Sequence, residues 1–234
     1  MDSLSMLTSL PRLAELINGQ IASVQWRTMT TSATRPYHHG QLERAAIDGA
    51  VEEVQTVGVA AVSMRRIARR ASVSHAALAY QFGDKTGIFT AVATEGFRLQ
   101  AEMIGPAATG PEGFMRGGQA YIAFALTHRG HFEVMFRPYL YRSDDPKLVL
   151  AKNAAFDILY GTARTSLTSH RSGPVTDDDV RGLAMAGWSL SHGFATLALT
   201  ANISEQLDAD TSTLAAQITQ GVITMGELAK QQIA

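Results

Sequence analysis

The chain has 234 residues, 46% of them hydrophobic, and a net charge of −1 from 20 Lys and Arg against 21 Asp and Glu; it is long enough for one large or two small domains with a real core. It has no cysteine, which excludes disulfides, thiolate metal sites and a cysteine nucleophile and fits a reducing cytoplasm. The longest apolar runs, such as Ala120–Leu126, are too short to span a bilayer, and the scarcity of β-branched runs predicts an all-helical protein.

Residues 1–34 read as an N-terminal extension. Leu4, Leu7, Leu10, Leu13, Leu16 and Ile17 have helical spacing, interrupted by Pro11. There is no basic start, continuous apolar core or cleavage site, so this is not read as a signal peptide. Thr28–Thr34 is polar and expected to be disordered. Residues 1–28 are either a misassigned start, with Met29 the true one, a dispensable extension, or a genuine extra helix packed on the body. In Arg35–Gly40 (RPYHHG), Arg35, His38 and His39 can meet phosphate or the minor groove, or form a plain helix entry with solvated histidines. Adjacent histidines rarely point at one ion.

Gln41–Thr56 has Leu42, Ala45, Ala46, Ala50, Val51 and Val54 on one helical face, with Gly58 as the residue after its end. Val62–Lys85 (VSMRRIARRASVSHAALAYQFGDK) follows. Ser63 is an N-cap; Met64, Ile67, Ala68 and Ala71 form an apolar face; Arg65, Arg66, Arg69 and Arg70 occupy its flanks and outer side. After the turn Ala71-Ser72-Val73, Ser74 caps a second helix, His75–Phe82, which Gly83 ends. Asp84 caps a third. Five basic residues stand against one acid here, a surface that attracts phosphates. Two short helices with a tight turn make a helix-turn-helix.

The remaining expected helices are Thr86–Met103, Phe114–Arg129, a short aromatic stretch His131–Tyr141 ended or kinked by Pro138, Pro146–Thr168 capped by Asp144 or Asp145, and Thr176-capped 177–202. The last begins after Thr211 as its cap. Ile104–Gly113 is rich in Gly and Pro and marks the domain boundary. The total is about nine helices: an extension (1–34), a helix-turn-helix domain (35–85), a connecting helix (86–104) and a larger body (105–234).

The order Ile67-Ala68, Ala71, Val73-Ser74, Leu78, Phe82, Lys85 and Ile88-Phe89 resembles the DNA-binding domain of the TetR family of bacterial transcriptional regulators, closely over about 41–93. The departures are Ser72 for a turn glycine, which predicts a backbone there that avoids positive φ, Ala79 for a tyrosine that commonly meets a phosphate, and Gln81 for a frequent histidine. The resemblance implies double-stranded DNA as partner. The DNA-facing set is Arg35, Ser63, Arg65, Arg66, Ser74, His75, Ala76, Tyr80, Gln81 and Lys85. Arg65, Arg66, Ser74, Tyr80 and Lys85 are expected at phosphates; His75, Ala76 and Gln81 are expected at base edges or thymine methyls.

The body carries Trp188-x-x-x-His192-Gly193 and Phe132-x-x-Met135-Phe136, which resemble a TetR-type C-terminal domain and imply a small-molecule effector. Pocket candidates are Phe124, Phe132, Met135, Phe136, Tyr139, Phe156, Tyr160, Trp188 and His192, against the plain reading that such a stripe is core. Small residues Ala184, Gly187, Ser191 and Ala195 line one side of the 177–202 helix, and Leu214, Ile218, Val222 and Met225 line the last. Two such helices from each of two chains make a four-helix bundle. A two-fold homodimer would set recognition helices about 34 Å apart over a palindrome; the alternative is that these helices only fill the monomer core.

No cofactor, metal or membrane partner is expected. His128, His131 and Glu133 are a poor metal set, because Gly130 interrupts their helix. Nor is an enzyme expected: Gly187-Trp188-Ser189-Leu190-Ser191 lacks the last glycine and preceding strand of a nucleophile elbow, and no phosphate-loop or dinucleotide motif occurs. The expected function is a cytoplasmic, ligand-released repressor acting on a palindromic operator. The alternatives are a dimeric sensor or interaction module that no longer reads DNA, with Ala79 as the motive, and an inducer-independent activator.

Overall fold

The computed structural model describes residues 39–201 and 203–233, and among these there is no strand. The expectations on Arg35, His38 and the extension lie outside the described residues. Ten α-helices follow one another: α1 His39–Val57, α2 Met64–Arg70, α3 His75–Phe82, α4 Lys85–Ile104, α5 Gly113–Thr127, α6 Arg129–Met135, α7 Pro146–His170, α8 Asp177–Thr200, α9 Ile203–Gln206 and α10 Thr211–Ile233. The single-turn α9 has no counterpart among the expected helices. Residues 36–203 form one compact unit, and the chain from Ser204 belongs to a second.

Local chemistry sets the helix starts. The Ser63 hydroxyl accepts from the Arg66 amide and the Ser74 hydroxyl from the Ala77 amide, so α2 and α3 begin where these side chains satisfy otherwise unpaired donors. Asp84 caps α4 through the Gly87 amide, and Asp145 caps α7 through Lys147 and Leu148. Thr176 and Asp179 form a reciprocal capping box on α8. In the second unit Asp210, rather than Thr211, caps α10: its carboxylate accepts from the Thr213 amide at 2.9 Å.

The turn between α2 and α3 departs from expectation. Ser72 has φ 55, in the left-handed region. The Val73 amide closes onto the Ala68 carbonyl at 3.0 Å and the Ser72 amide onto Arg69, a helix-ending pattern that requires positive φ. Docking α3 on α2 forces this backbone whatever residue occupies it.

Helix α1 covers α2 and α3 from behind. Ala46, Ala50 and Val54 of α1, Ile67 of α2, Leu78 of α3 and Phe89 of α4 belong to one buried cluster. That cluster continues through α4 to Phe124, Met135 and Leu148, so the expected head and body share a core across the Gly/Pro-rich segment. Gly130 does not interrupt a helix; it lies inside α6, where a Cβ would stand 2.8 Å from the Val51 carbonyl oxygen of α1. Among the described residues no helix is long and apolar enough to cross a membrane.

Candidate functional site

On α2, burial of Ile67 and Ala68 fixes the roll of the helix and divides its four arginines. Arg65 and Arg69, four residues apart, are exposed, with no ion pair recorded for either among the described residues. Arg66 and Arg70 turn the other way. Their Nε atoms bind the two oxygens of Glu53 on α1, at 2.5 and 2.7 Å. Glu53 is 3% exposed. Burial alone would raise its pKa; the two guanidinium hydrogen bonds outweigh that and hold it below the usual carboxylate range. Arg66, expected at a phosphate, is paired with Glu53 and ties α2 to α1. Arg69 is the outward cation that the sequence reading left off the contact set, although its spacing from Arg65 was the available signal.

On α3, Leu78 is buried while His75, Ala76 and Tyr80 face solvent, Tyr80 with 86% of its surface exposed. With Arg65 and Arg69 they form the outward side of the helix-turn-helix. Gln81 is not on that side. It is half-buried and lines a cleft of about 510 Å³ with Glu43 and Arg44 of α1, Glu95 of α4 and Arg142. Ser63 and Ser74 use their hydroxyls as caps. Lys85 is also turned inward: its Nζ donates to the Val62 carbonyl at 3.2 Å and lies 5.6 Å from the Phe89 ring centre. The Asp84 carboxylate, which also meets Arg142 at 3.1 Å, already fills the start of α4, leaving no phosphate cradle there.

A second feature sits among α5, α6, α7 and α8. Trp188 Nε1–H donates to the Tyr121 hydroxyl at 3.2 Å, and that hydroxyl lies 2.8 Å from His192 Nδ1. Indole nitrogen only donates. The Tyr121 hydroxyl donates to His192 Nδ1 when the imidazole carries its proton on Nε2 and accepts from it in the other tautomer. Burial lowers the His192 pKa and raises that of Tyr121. Phe136 and Phe132 meet the His192 ring at 4.5 and 5.1 Å; Phe156 meets Trp188 edge-on at 5.4 Å and stacks on Tyr160. Six of the nine expected pocket residues thus come together, around Tyr121, which was not among the pocket candidates. Phe124 and Met135 are fully buried in the main core. Tyr139 is corrected: Pro138 starts a short 3-10 turn that leaves this ring 78% exposed and away from any lining role.

The small-residue side of α8 is also reassigned. Ala184 and Ala195 are wholly buried, Gly187 faces the Phe114 ring of α5 with no room for a Cβ, and Ser191 lies against Gly118. These residues seat α8 on α5 within one chain. The outward face of α8 instead carries Met185, Leu190 and Leu197. On α10, Leu214 is buried, Ile218 and Val222 are half-buried, and Met225 and Leu228 are exposed. The rings of His128 and His131 meet edge-on at 5.8 Å, and no metal-holding group of three or more His, Asp or Glu occurs among the described residues.

The same plan occurs in known proteins. A family model described as bacterial regulatory proteins, tetR family, matches residues 46–92, and one described as tetracyclin repressor-like, C-terminal domain, matches residues 114–221. No curated protein matches the chain. Among solved structures, a protein of unknown function from Rhodococcus sp. RHA1 is 26% identical, with 81% of this chain and 96% of that one covered at TM-score 0.64. A TetR-like transcriptional regulator from Rhodococcus sp. RHA1 is 22% identical, covering 81% and 99% at TM-score 0.57. A possible TetR family transcriptional regulator from Streptomyces coelicolor A3(2) is 20% identical, covering 81% and 98% at TM-score 0.53; the last two are likenesses of fold. One family match takes in the reading helices and the other most of the body: this chain belongs to the TetR family of bacterial regulatory proteins.

Proposed function

We propose that the protein is a cytoplasmic homodimeric repressor that binds a palindromic operator and is released by a small apolar or aromatic molecule. The observation that carries the DNA reading is the outward set Arg65, Arg69, His75, Ala76 and Tyr80, displayed on two capped helices. Arg65, Arg69 and Tyr80 meet phosphates, and His75 and Ala76 meet base edges or thymine methyls. The effector site is the cluster around Tyr121, Trp188 and His192, whose apolar rings and few oriented polar groups suit such a ligand. The effector must favour one arrangement of the reading heads over another, since equal affinity for both shifts nothing. Dimerisation buries the outward stripe Met185, Leu190 and Leu197. No catalysis is assigned.

Salt dependence of operator binding tests the DNA reading. Arg65→Ala and Arg69→Ala each weaken binding to all sequences similarly and reduce the slope of log K against log salt by about 1. Arg66→Ala leaves the slope in place and lowers stability instead. Unchanged slopes for Arg65→Ala and Arg69→Ala would remove this face from the interface.

A further inference from the structure

A buried carboxylate and imidazole, Glu95 and His131, meet the exposed Arg44 at a junction of three helices that plays no part in the proposed reading of DNA. Glu95 of α4 is 7% exposed, and its Oε1 accepts from the Arg44 guanidinium of α1. Its Oε2 faces His131 Nε2 of α6 at 3.9 Å, beyond hydrogen-bond distance. His131 is 6% exposed, and neither of its ring nitrogens has a partner; nor does Glu95 Oε2. Buried polar atoms are normally paired, so three unpaired ones at a single helix junction call for a physical reason. Other charged or titratable groups around them are Asp48, paired with Arg44 from within α1, Arg98 of α4, 4.0 Å from Glu95 Oε1, and His128, whose ring adjoins that of His131; Glu43, Arg142, Asp145 and Lys147 line the cleft that Arg44 and Glu95 share.

A neutral imidazole has one N–H; the imidazolium donates from both nitrogens and carries the charge that a buried carboxylate attracts. Small side-chain rotations close the 3.9 Å separation to a charge-assisted bond of about 2.8 Å without moving α6, which already packs closely on Gly96 of α4. Helix α6 has little slack elsewhere. Gly130 already touches Val51 of α1, and Phe132 reaches the His192 ring. Arg44 holds the other carboxylate oxygen from α1, so the proton closes a three-helix clamp without displacing the existing ion pair.

We propose that His131, Glu95 and Arg44 form a proton-operated latch between the reading helices and the body, in which protonation of His131 fixes α1 in the arrangement described above. The consequence for DNA rests on the function proposed above; the latch itself does not. The experiment measures operator affinity and thermal unfolding of the full chain at about pH 5.5 and about pH 8, for wild type, His131→Gln, Glu95→Gln and His128→Gln. On acidification, operator affinity gains on the order of tenfold more in wild type than in His131→Gln or Glu95→Gln. Wild type also loses less thermal stability than His131→Gln, and His128→Gln keeps the wild-type ratios. If Glu95→Gln does not fold, the comparison with His131→Gln carries the test. Should His131→Gln keep both the affinity ratio and the thermal pH dependence of wild type, the latch is overturned. If the protein prefers no DNA sequence, the DNA reading fails, and the thermal comparison alone decides the latch.

Discussion

At Ser72 the chain places a non-glycine residue at φ 55, in the turn on which the helix-turn-helix depends. Left-handed backbone costs an L-residue roughly 1–2 kcal/mol, and the extra unfolded-state freedom of glycine offsets part of any relief. Ser72→Gly is therefore expected to stabilise the protein by about 0.5 kcal/mol, read as a small rise in Tm; a fall would show that the Ser72 side chain contributes more than its backbone costs. Single-residue features that depend on near neighbours were legible in the sequence. Ser63, Ser74 and Thr176 cap helices as expected because a hydroxyl meets an amide three residues on. The φ of Ser72 was not legible, since the packing of α3 on α2 sets it and not the residue type. The inward turn of Lys85 was hidden for a similar reason: the Val62 carbonyl that captures it comes from the other side of the motif.

Between elements, the Glu53 bridge to Arg66 and Arg70 fastens the first reading helix to α1. Its pH dependence has a definite sign. The folded-state pKa of Glu53 is depressed, so its contribution is complete above the unfolded value and is lost as pH falls through the lower folded one. Glu53→Gln is expected to cost about 1–3 kcal/mol near neutral pH, less than for a fully buried pair because both arginines keep part of their surface in water. The gap between wild type and variant should close below the ordinary carboxylate value, since protonated Glu and Gln are then alike. Denaturant titrations at a series of pH values check this; a gap that stays constant into acid would mean that the ion pair does not brace the helix. The sequence showed four arginines on α2 but not which two turn inward, because burial of Glu53 arises only when α1 and α2 pack. The small-residue side of α8 misled in the same way: close approach was legible, and the partner proved to be Phe114 and Gly118 of α5.

For the whole molecule, the all-helical plan and most helices among the described residues were legible, since amphipathic spacing and punctuation by Gly, Pro and capping residues are local signals; the single turn α9 and the 3-10 turn Val59–Ala61 were not. Residue contacts within the aromatic cluster were legible only as a concentration of rings. Nothing local indicated that Tyr121 would take the centre or that Tyr139 would be left outside. The proposed assembly uses the outward side of α8. Leu190→Glu and Leu197→Glu place charge in the proposed dimer seam and should convert the protein to a monomer in sedimentation while leaving its helical content intact, because both leucines are exposed within one chain. A dimer that survives both changes would move the interface elsewhere.

Above all, the outward side of α2 and α3 is proposed to read a specific DNA sequence. The most direct test is binding of the purified full chain to the intergenic DNA upstream of its own gene, titrated against scrambled DNA of equal length at physiological salt. A preference on the order of a hundredfold or more is the predicted result, since specific sites exceed non-specific ones by several orders of magnitude. Equal, weak binding to both DNAs, with a salt slope indifferent to Arg65 and Arg69, would contradict it.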